Sequence, residues 1–349
     1  MKTIDPTITH EILKLVAEID EFKGRWRALK TLSPETLGRL RRTATIESVG
    51  SSTRIEGSKL SDREVGALLA NLKVESFHSR DEEEVAGYAD VMNLVFDSWD
   101  CIPVTENHIR QLHRELLKYS GKDERHRGDY KTNPNHVAAF GAGGKQIGIV
   151  FETATPFETP LQMEKLLRWL DQGQREGTLH PLLVVGVFIV WFLAIHPFQD
   201  GNGRLSRVLT TLLLLRFGYA YVPYSSLESI VEESKAGYYV ALRKTQQTLK
   251  SKKPDWEPWL LFFLRCLLRQ KERLAKRIEA EQGTLAGLSA LAVDIVNLLA
   301  ENNSVTVASI VAATGANRNT VKAALQGLVK RGLIAQRGQG RGVHYTLTS

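Results

Sequence analysis

The chain has 349 residues, of which 43% are hydrophobic and 24% are charged. This is the composition of an ordinary soluble protein, and the length allows two or three domains. Lysine and arginine outnumber aspartate and glutamate by 46 to 39, a mild excess that permits contact with nucleic acid or nucleotide without requiring it.

The sequence predicts neither secretion nor a membrane span. No apolar secretory core follows Met1. The apolar run Leu182–Ile195 is shorter than the ~20 residues that cross a membrane, so we interpret it as a core helix. The two cysteines, Cys101 and Cys266, stand in apolar contexts, which predicts two buried thiols in a reducing compartment. We therefore expect a cytoplasmic protein with no membrane partner.

A helical region is predicted for residues 1–100. Apolar residues recur at helical spacing near its start, which indicates a first amphipathic helix. Ser33 and Pro34 are typical of the start of a second helix. We expect that second helix to run through Thr45, with a break near Gly50.

Three further helix starts are recognisable in the sequence. Ser61–Glu64 is a capping box. The acidic run Asp81–Glu84 suits the positive end of a helix dipole, and we interpret it as a solvated helix end. Thr105 caps a helix that carries His108 and His113, which we expect at the surface or boundary and not as ligands.

The one clear β signal follows these helices. Residues 136–140 and 146–151 flank the Gly-rich turn Gly141–Gly144, which predicts a β-hairpin. The chain then returns to helical patterns. We expect one helix over residues 230–249 and a long, increasingly basic one over residues 256–282.

The stretch His196–Arg207, HPFQDGNGRLSR, carries the strongest signal in the chain. It separates two apolar segments that are typical of buried helices, and such helices do not need a polar, Gly-rich joint. Gly201 and Gly203 allow backbone angles that are closed to other residues. They lie just ahead of the second apolar helix, so backbone amides and the helix dipole favour an anion such as phosphate there.

The other polar residues of this stretch suit the same ligand. Arg204 and Arg207 are three residues apart and share one helix face, where they are able to grip phosphate oxygens. Asp200 offers a hard oxygen to a Mg²⁺ that bridges phosphates. His196 is a side chain suited to act as a general base near neutral pH. The stretch therefore indicates phosphoryl or nucleotidyl chemistry on a Mg-bound nucleotide.

These residues match HPFx(D/E)GNGRxxR, the motif of the Fic family, at every defined position, and the chain resembles that family over roughly residues 40–250. The resemblance implies a mainly α fold, a helical core with one β-hairpin flap, and a core domain over residues 101–282. It also implies transfer of AMP from ATP to a Ser, Thr or Tyr hydroxyl of target proteins and of the protein itself.

The resemblance assigns roles to the motif residues. His196 would be the base, and Asp200 would hold Mg²⁺ against the α- and β-phosphates. The remaining ATP contacts would come from the loop and the helix that follows it: Gly201, Asn202, Gly203, Arg204 and Arg207. We expect Phe198 to anchor the loop in the core.

A second segment resembles the inhibitory helix of self-inhibited Fic proteins. Ser52–Gly57 fits the pattern (S/T)xxxE(G/N), with Ser52, Glu56 and Gly57 at its defined positions. In that resemblance the inhibitory helix lies near residues 40–57, and Glu56 pairs with Arg207 and withholds it from the γ-phosphate. The plain alternative is an exposed glutamate near a helix end with a glycine cap.

The resemblance also extends to the hairpin and to the region after the motif. Gly128–Lys131 resembles a Gly-x-Tyr-Arg segment of Fic domains, with Lys131 in place of arginine. Tyr238 and Tyr239 are candidates for the adenine pocket, although either could be a core residue. The hairpin would be the flap that holds the target segment, through residues of its second strand: Ile147, Gly148, Ile149, Val150 and Phe151.

The last part of the chain, residues 283–349, changes character. Gly283–Gly287 is typical of a linker, and the following order of helix, helix, turn, helix and β-wing resembles a winged helix-turn-helix domain. Its third helix bears Arg318 and Lys322, and the segment has six lysines and arginines against one aspartate and one glutamate. Such a surface suits duplex DNA, but winged helices also serve as docking or homodimerisation modules.

Two further functions stay open at this stage. The same site could run in reverse, with Glu56 orienting a water that removes AMP from a modified protein. Alternatively, the protein could be a DNA-binding regulator whose Fic core only senses a nucleotide.

Overall fold

The computed structural model describes residues 6–28, 32–71, 77–135, 137–140, 146–285, 288–302 and 304–348. It is mainly helical, as expected. The chain divides into two compact units, one formed by residues 1–29 and 43–272 and the other by residues 30–42 and 273–349. The finer division at residues 100 and 282 stays a prediction. Among the residues described, no helix is long and apolar enough to cross a membrane.

Within the described residues, five α-helices precede the hairpin: α1 (His10–Ala28), α2 (Pro34–Ile55), α3 (Asp62–Ala70), α4 (Arg80–Ser98) and α5 (Glu106–Leu116). The predicted break of the second helix near Gly50 is wrong, because α2 is continuous to Ile55. Gly50 is a packing site instead of a breaker. A Cβ there would lie 2.6 Å from a carboxylate oxygen of Asp62 and 2.7 Å from Nη1 of Arg54. Tertiary contacts therefore offset the ~1 kcal/mol that a helical glycine costs.

The helix starts agree with the sequence, whereas some burial predictions do not. The capping box Ser61–Glu64 is formed, and the hydroxyl of Thr105 caps α5. The acidic run does begin a helix, α4. Its member Glu84 is buried, however, so the interpretation of the whole run as a solvated helix end is wrong. Cys101 is exposed, because it follows the end of α4, whereas Cys266 is buried.

The predicted hairpin is present as β1 (Val137–Phe140) and β2 (Gln146–Phe151). The strands are antiparallel, with Val137 opposite Phe151 and Phe140 opposite Gln146, and the register is irregular at two points. The turn between them, residues 141–145, lies outside the described residues.

In the described part of the chain the hairpin is followed by further helices: α6 (Thr159–Glu176), α7 (Pro181–Ile195), α8 (Asn202–Arg216), α9 (Leu227–Glu233), α10 (Lys235–Thr248) and α11 (Glu257–Leu285), the last of which continues from the first unit into the second at residue 273. Nearly every side chain of α7 and α8 is buried, so these two helices form the centre of the core. The single helix predicted over residues 230–249 is two helices with a break at Ser234. A linker was predicted over Gly283–Gly287. The prediction is wrong for residues 283–285, because they belong to α11. Residues 286 and 287 lie outside the described part.

The second unit contains the predicted winged helix-turn-helix. Its helices are α12 (Ala290–Glu301), α13 (Val307–Thr314) and α14 (Arg318–Lys330), and the wing pairs β3 (Ile334–Arg337) with β4 (His344–Leu347). Gly315 makes the turn after α13 with a φ of 67°, a conformation that favours glycine. The core includes Ile295, Ile310, Leu325 and Ile334, which come from all three helices and the first wing strand.

Candidate active site

The polar stretch of the motif forms a tight loop between α7 and α8. α7 ends at Ile195, and His196 takes the left-handed conformation with φ 53°, alone among the described non-glycine residues. Such a conformation is strained for a residue with a Cβ and persists only where the surroundings impose it. The main-chain N–H of His196 still donates to Phe192 O at 2.8 Å, so the residue caps α7 while its side chain turns out of the helix.

The imidazole of His196 is half-buried and has a defined tautomer. Its Nδ1 lies 3.3 Å from the carbonyl oxygen of Leu193. Because a carbonyl only accepts, Nδ1 carries the proton, and Nε2 is left as a base. Burial, and then the positive charge of Lys131, lower the pKa of His196 from its ordinary value of 6.5 to about 4. The ring is therefore neutral near pH 7.

Asn202 holds the loop closed. Its Oδ1 accepts from the main-chain N–H of Phe198 at 2.9 Å, and its Nδ2 donates to the carbonyl of the same residue at 2.7 Å. Asn135 Nδ2 donates to that carbonyl as well, at 2.6 Å. Phe198 itself is fully buried, as expected for an anchor. Asn202 is also buried, so its amide has a structural role in the loop, and its contact with ATP stays a prediction.

His113 supports the loop from below, and the prediction that it lies at the surface or boundary is wrong. Its ring stacks on Phe198 with centroids 3.8 Å apart. Nδ1 accepts from the N–H of Gly128 at 2.8 Å, so Nε2 carries the proton and donates to the main-chain oxygen of Asp200 at 2.9 Å. Burial lowers the pKa of His113 to about 4. Its spacing on the apolar face of α5, four residues after Ile109, was the sequence signal for burial.

Asp200 is an ionised carboxylate at the rim of the loop. Its Oδ1 accepts from the N–H of Gly201 at 2.6 Å and lies 3.4 Å from Nη2 of Arg204, while Oδ2 lies 3.3 Å from Nη2 of Arg80. Burial raises the pKa of Asp200, but the charge of Arg204 and the Gly201 hydrogen bond outweigh it, so the pKa falls below its ordinary value.

One ionised carboxylate fits a magnesium ion that takes its other ligands from phosphates and water. Within the described residues, no group of three or more His, Cys, Asp or Glu side chains forms a cage for a metal. The donor set at Asp200 therefore fits a cation that arrives with a nucleotide.

Arg204 is enclosed in the protein. It is 2% exposed, and its Nη1 lies 3.2 Å from Oε2 of Glu84, an ion pair without hydrogen-bond geometry. Its Nε has no partner among the described residues. Arg204 therefore keeps donor capacity beside Asp200 while its charge is compensated by two carboxylates. The partner Glu84 lies on α4, far away in the sequence, and no sequence pattern linked the two.

Arg207 is held by the last turn of α2. Its Nε donates to the hydroxyl of Ser52 at 2.8 Å, and its Nη2 donates to the carbonyl of Ser52 at 3.0 Å and to Oε1 of Glu56 at 2.8 Å. Burial alone would lower the pKa of Arg207, but the charge of Glu56 outweighs it and raises the pKa above the ordinary value. The structure thus brings together the two motifs that the sequence singled out.

The end of α2 is anchored on both sides of Glu56. Arg54 makes a bidentate ion pair with Glu232, at 2.7 and 2.9 Å, and Gly57 turns the chain with φ 112°. The carboxylate of Glu56 lies directly over Gly203, where a Cβ would be 2.2 Å from Oε1. Glu56 therefore occupies the space beside the start of α8, where the loop would receive a phosphate.

The two tyrosine candidates differ in burial. Tyr238 is buried, with its ring edge-on to Tyr239 at 5.2 Å and to Trp259 at 5.7 Å. It lines a cavity of about 30 Å³ together with Arg207 and neighbouring apolar residues. Tyr239 is 44% exposed. Tyr238 is thus a core residue next to Arg207, and the contact of either tyrosine with adenine stays a prediction.

The candidate flap residues lie on one strand. Residues 146–151 form β2, but the side chains of residues 147–150 lie outside the described part, and Phe151 is half-buried. The base of the hairpin is tied to the loop by Lys131, whose buried Nζ donates to Ile195 O and to Thr153 Oγ1, each at 3.0 Å. Sequence reasoning noted Lys131 only as a departure from the family pattern.

Comparison with known proteins agrees with this fold. Residues 103–214 match the Fic/DOC family, and residues 292–338 match the IclR helix-turn-helix domain. The protein adenylyltransferase Fic of Drosophila melanogaster is 27% identical over 232 residues, which is 66% of this chain and 42% of that protein. The chain thus spans less than half the length of that curated relative.

Solved structures show the same architecture. A Fic family protein from Desulfovibrio desulfuricans superposes with a TM-score of 0.66 at 24% identity, over 99% of this chain and 98% of that one. A Fic domain-containing signaling protein from Bacteroides thetaiotaomicron gives a TM-score of 0.61 at 26% identity, over 75% of this chain and 97% of its own. The chain therefore contains a Fic domain and a C-terminal helix-turn-helix domain.

Proposed function

We propose that this protein is an adenylyltransferase that moves AMP from Mg-bound ATP to a hydroxyl side chain of a target protein or of itself, and that Glu56 restrains this activity. The observation that carries the proposal is the joint at α7 and α8. There a neutral histidine, an ionised aspartate and a helix N-terminus share one loop with a buried arginine, which Glu56 contacts.

ATP binds with its phosphates at the start of α8. The first turn of a helix has N–H groups without partners inside the helix, so the N–H groups of Asn202 and Gly203 and the positive dipole end face the phosphates, while the N–H of Gly201 donates to Asp200. Arg204 and Arg207 neutralise the β- and γ-phosphates. Asp200 would hold a magnesium ion, which would supply positive charge against the phosphates. Tyr238 and Tyr239 are the candidates for contact with adenine.

The chemical step needs one base. Nε2 of His196 removes the proton from the acceptor hydroxyl as the hydroxyl oxygen forms a bond to the α-phosphorus. The bond between that phosphorus and the oxygen bridging to the β-phosphate breaks, and its electrons leave with pyrophosphate. The products are a protein–AMP ester, pyrophosphate and a protonated His196. Positioning and charge stabilisation supply most of the acceleration in such a reaction.

The flap determines which hydroxyl reaches His196. The edge of β2 away from β1 would pair with an extended target segment, so main-chain hydrogen bonds would hold the segment, and residues 147–151 are the candidates for selecting it. The partner is therefore a protein that presents a serine, threonine or tyrosine in an extended segment.

Glu56 restrains the transfer by occupying Arg207. A charge-assisted hydrogen bond of this type is worth ~1.5–3 kcal/mol. The carboxylate also lies over Gly203, so it repels a phosphate that approaches the start of α8. ATP that binds beside Glu56 keeps its α-phosphate out of line with His196, and the loss falls on rate more than on affinity.

Transfer of label from ATP labelled at the α-phosphate tests the proposal. Wild type and Glu56→Gly should label protein in a Mg²⁺-dependent manner, and Glu56→Gly combined with His196→Ala should not. Label from ATP carrying it at the γ-phosphate should stay off protein. Absence of α-label on protein with Glu56→Gly, across a lysate of candidate targets and the protein itself, rejects the transferase.

A second activity is supported by the exposure of Glu56. Its side chain is 34% exposed, so a water is able to reach the carboxylate beside the loop. The same site would then remove AMP from a modified protein, with Glu56 orienting the attacking water. Release of AMP from a pre-modified target that stops with Glu56→Gly distinguishes this reaction from transfer, which the same substitution accelerates.

For the second unit we propose binding to duplex DNA. α14 presents Arg318, Asn319 and Lys322 to solvent, and Arg337 on the wing is exposed as well. Basic residues on the third helix and the wing of such a domain contact phosphates. Residues 283–349 serve instead as a docking or homodimerisation module if the full chain shows no DNA binding at low salt and their deletion dissociates a dimer.

A further inference from the structure

Lys131 lies where the flap hairpin, α7 and the catalytic loop meet. We propose that it is a positioning residue, whose ammonium group ties the base of the flap to the end of α7 and thereby aims His196 at the acceptor hydroxyl. The inference deepens the proposed adenylyl transfer and rests on it.

The three acceptors of the ammonium group come from three different segments. Nζ donates to Asn135 Oδ1 at 2.8 Å, to Thr153 Oγ1 at 3.0 Å and to Ile195 O at 3.0 Å. Asn135 precedes β1, Thr153 follows β2, and Ile195 is the residue before His196. An ammonium group has three N–H donors, so all of them are used. The side chain of Lys131 thus connects the two strands at the base of the hairpin and links both of them to Ile195, the residue before His196.

The main chain around Lys131 reinforces this connection. The N–H of Lys131 donates to Pro197 O at 2.9 Å, and Tyr130 forms an antiparallel bridge with Phe198. Asn135, which accepts from Nζ, donates in turn to Phe198 O at 2.6 Å. A shift of the hairpin base is therefore transmitted to the loop on both sides of His196.

The charge of Lys131 is itself informative. The residue is 3% exposed, and within the described residues no carboxylate lies within ion-pair distance of Nζ. Burial lowers the pKa of Lys131 to about 8, opposed by the more distant Glu158. An isolated buried charge is costly, so a role in packing alone would be served better by an apolar side chain.

The charge acts on His196, which faces one positive and two negative groups. Lys131 disfavours the imidazolium form, whereas Glu56 and Asp200 favour it. Burial is the larger cause of the lowered pKa of His196, and the charge of Lys131 adds to it against the opposing charges of Glu56 and Asp200. The two effects of Lys131, geometric and electrostatic, both serve the base.

Titration of His196 by NMR, with histidine labelled with nitrogen-15, tests the electrostatic effect without any transfer assay. Lys131→Met should raise the His196 titration midpoint by about one pH unit or more, and Lys131→Arg should leave it near wild type. Lys165→Met, which removes an exposed lysine on α6, is the matched control and should change nothing.

Transfer kinetics in the Glu56→Gly background test the geometric effect. Lys131→Met should lower kcat about 10- to 100-fold with little change in the KM for ATP, and Lys131→Arg should restore most of it. With Lys131 present, the transfer rate should decline above about pH 8, because the neutral amine of Lys131 retains two of its three N–H donors. Lys131→Arg should abolish that decline.

Thr153→Val separates the two effects, because it removes one acceptor and keeps the charge. It should raise the KM for a protein acceptor several-fold while His196 titrates as in wild type. If Lys131→Met fails to fold, two other results decide. An acceptor KM that is unchanged in Thr153→Val, together with an alkaline decline in rate that persists in Lys131→Arg, overturns the proposal. An unchanged His196 midpoint and kcat in folded Lys131→Met also overturn it. If no variant transfers AMP, the proposed function fails, and the NMR midpoints still decide whether Lys131 controls His196.

Discussion

The catalytic loop and helix α14 are both basic, but they hold their charges in opposite ways. Beside the loop, Arg204 and Arg207 have side chains that are 2% and 8% exposed; Arg204 lies by two carboxylates, and Arg207 is bound by one. On α14, Arg318 and Lys322 are exposed to solvent. A buried charge requires partners in a fixed geometry, whereas an exposed charge is screened by salt.

This difference in burial indicates how closely each region defines the position of its ligand. The loop surrounds a small volume with oriented donors, so in the proposed function it would specify the position of each phosphate of a nucleotide. α14 specifies only that its partner is negative, and sequence readout would depend on a few side chains that reach base edges. Single substitutions should therefore have large, position-specific effects at the loop and small, additive effects on α14.

The largest effect is expected at the base. His196→Ala should lower transfer by ~100- to 10,000-fold, because the acceptor proton then has no positioned acceptor. ATP affinity, measured by calorimetry, should stay near wild type, since His196 acts on the hydroxyl and not on phosphate. His108→Ala, a histidine on α5 outside the loop, is the control. Retention of more than about a tenth of the transfer rate would contradict the assignment.

The next effect is on stability and tests the burial of Arg204. Glu84→Ala should lower the free energy of unfolding by ~3–5 kcal/mol, because it leaves a buried arginine without one of its two carboxylates. Glu83→Ala, on the same helix, should change it by ~0.5 kcal/mol or less. Urea denaturation measures both. Equal effects of the two substitutions would show that the ion pair does not stabilise the fold.

A smaller effect is expected at the contact between the two motifs. Glu56→Gly should raise transfer about 10- to 150-fold, which is ~1.5–3 kcal/mol converted at 1.4 kcal/mol per tenfold. Glu56→Gln, which retains shape without charge, should fall between wild type and Glu56→Gly. Arg207→Ala should not be rescued by Glu56→Gly, because the freed arginine binds ATP. An unchanged rate in Glu56→Gly would reduce Ser52–Gly57 to a helix end.

The smallest effects are expected on α14. Arg318→Glu and Lys322→Glu should each weaken binding of duplex DNA by the full chain at all sequences, and each should reduce the slope of log affinity against log salt by about one. Lys165→Glu on α6 is the charge-matched control. A salt slope that neither α14 substitution changes would mean that this surface does not contact DNA.

Local features were predictable from the sequence because their causes are local. The capping box at Ser61, the cap at Thr105 and the hairpin each depend on residues within a few positions of one another. The motif at residues 196–207 is of the same kind, since a loop and one helix turn bring its side chains together. Its pairing with Glu56 was predictable only through the family resemblance.

The contacts that support the loop depend on long-range packing and were not predictable. Arg204 meets Glu84 across two helices, and the three acceptors of Lys131 come from three segments. His113 was misjudged because histidine is usually near the surface, although its position on α5 placed it on the buried face. Gly50 was misjudged for a similar reason, since packing against Arg54 and Asp62 overrides its poor helix propensity.

The attachment of Glu56 to its own chain has a consequence for control. Ser52 and Arg54 anchor the turn that carries Glu56, so, if Glu56 restrains transfer as proposed, diluting the protein does not lower the effective concentration of its carboxylate at Arg207. Such a restraint is not lost by dissociation. Its release would be a local event, either rotation of the Glu56 side chain or opening of the turn at Glu56 and Gly57, and the rest of α2 would stay folded. In the proposed function, a change in the conformation of the Gly57 turn would therefore alter the rate of transfer without any contact with the bound nucleotide.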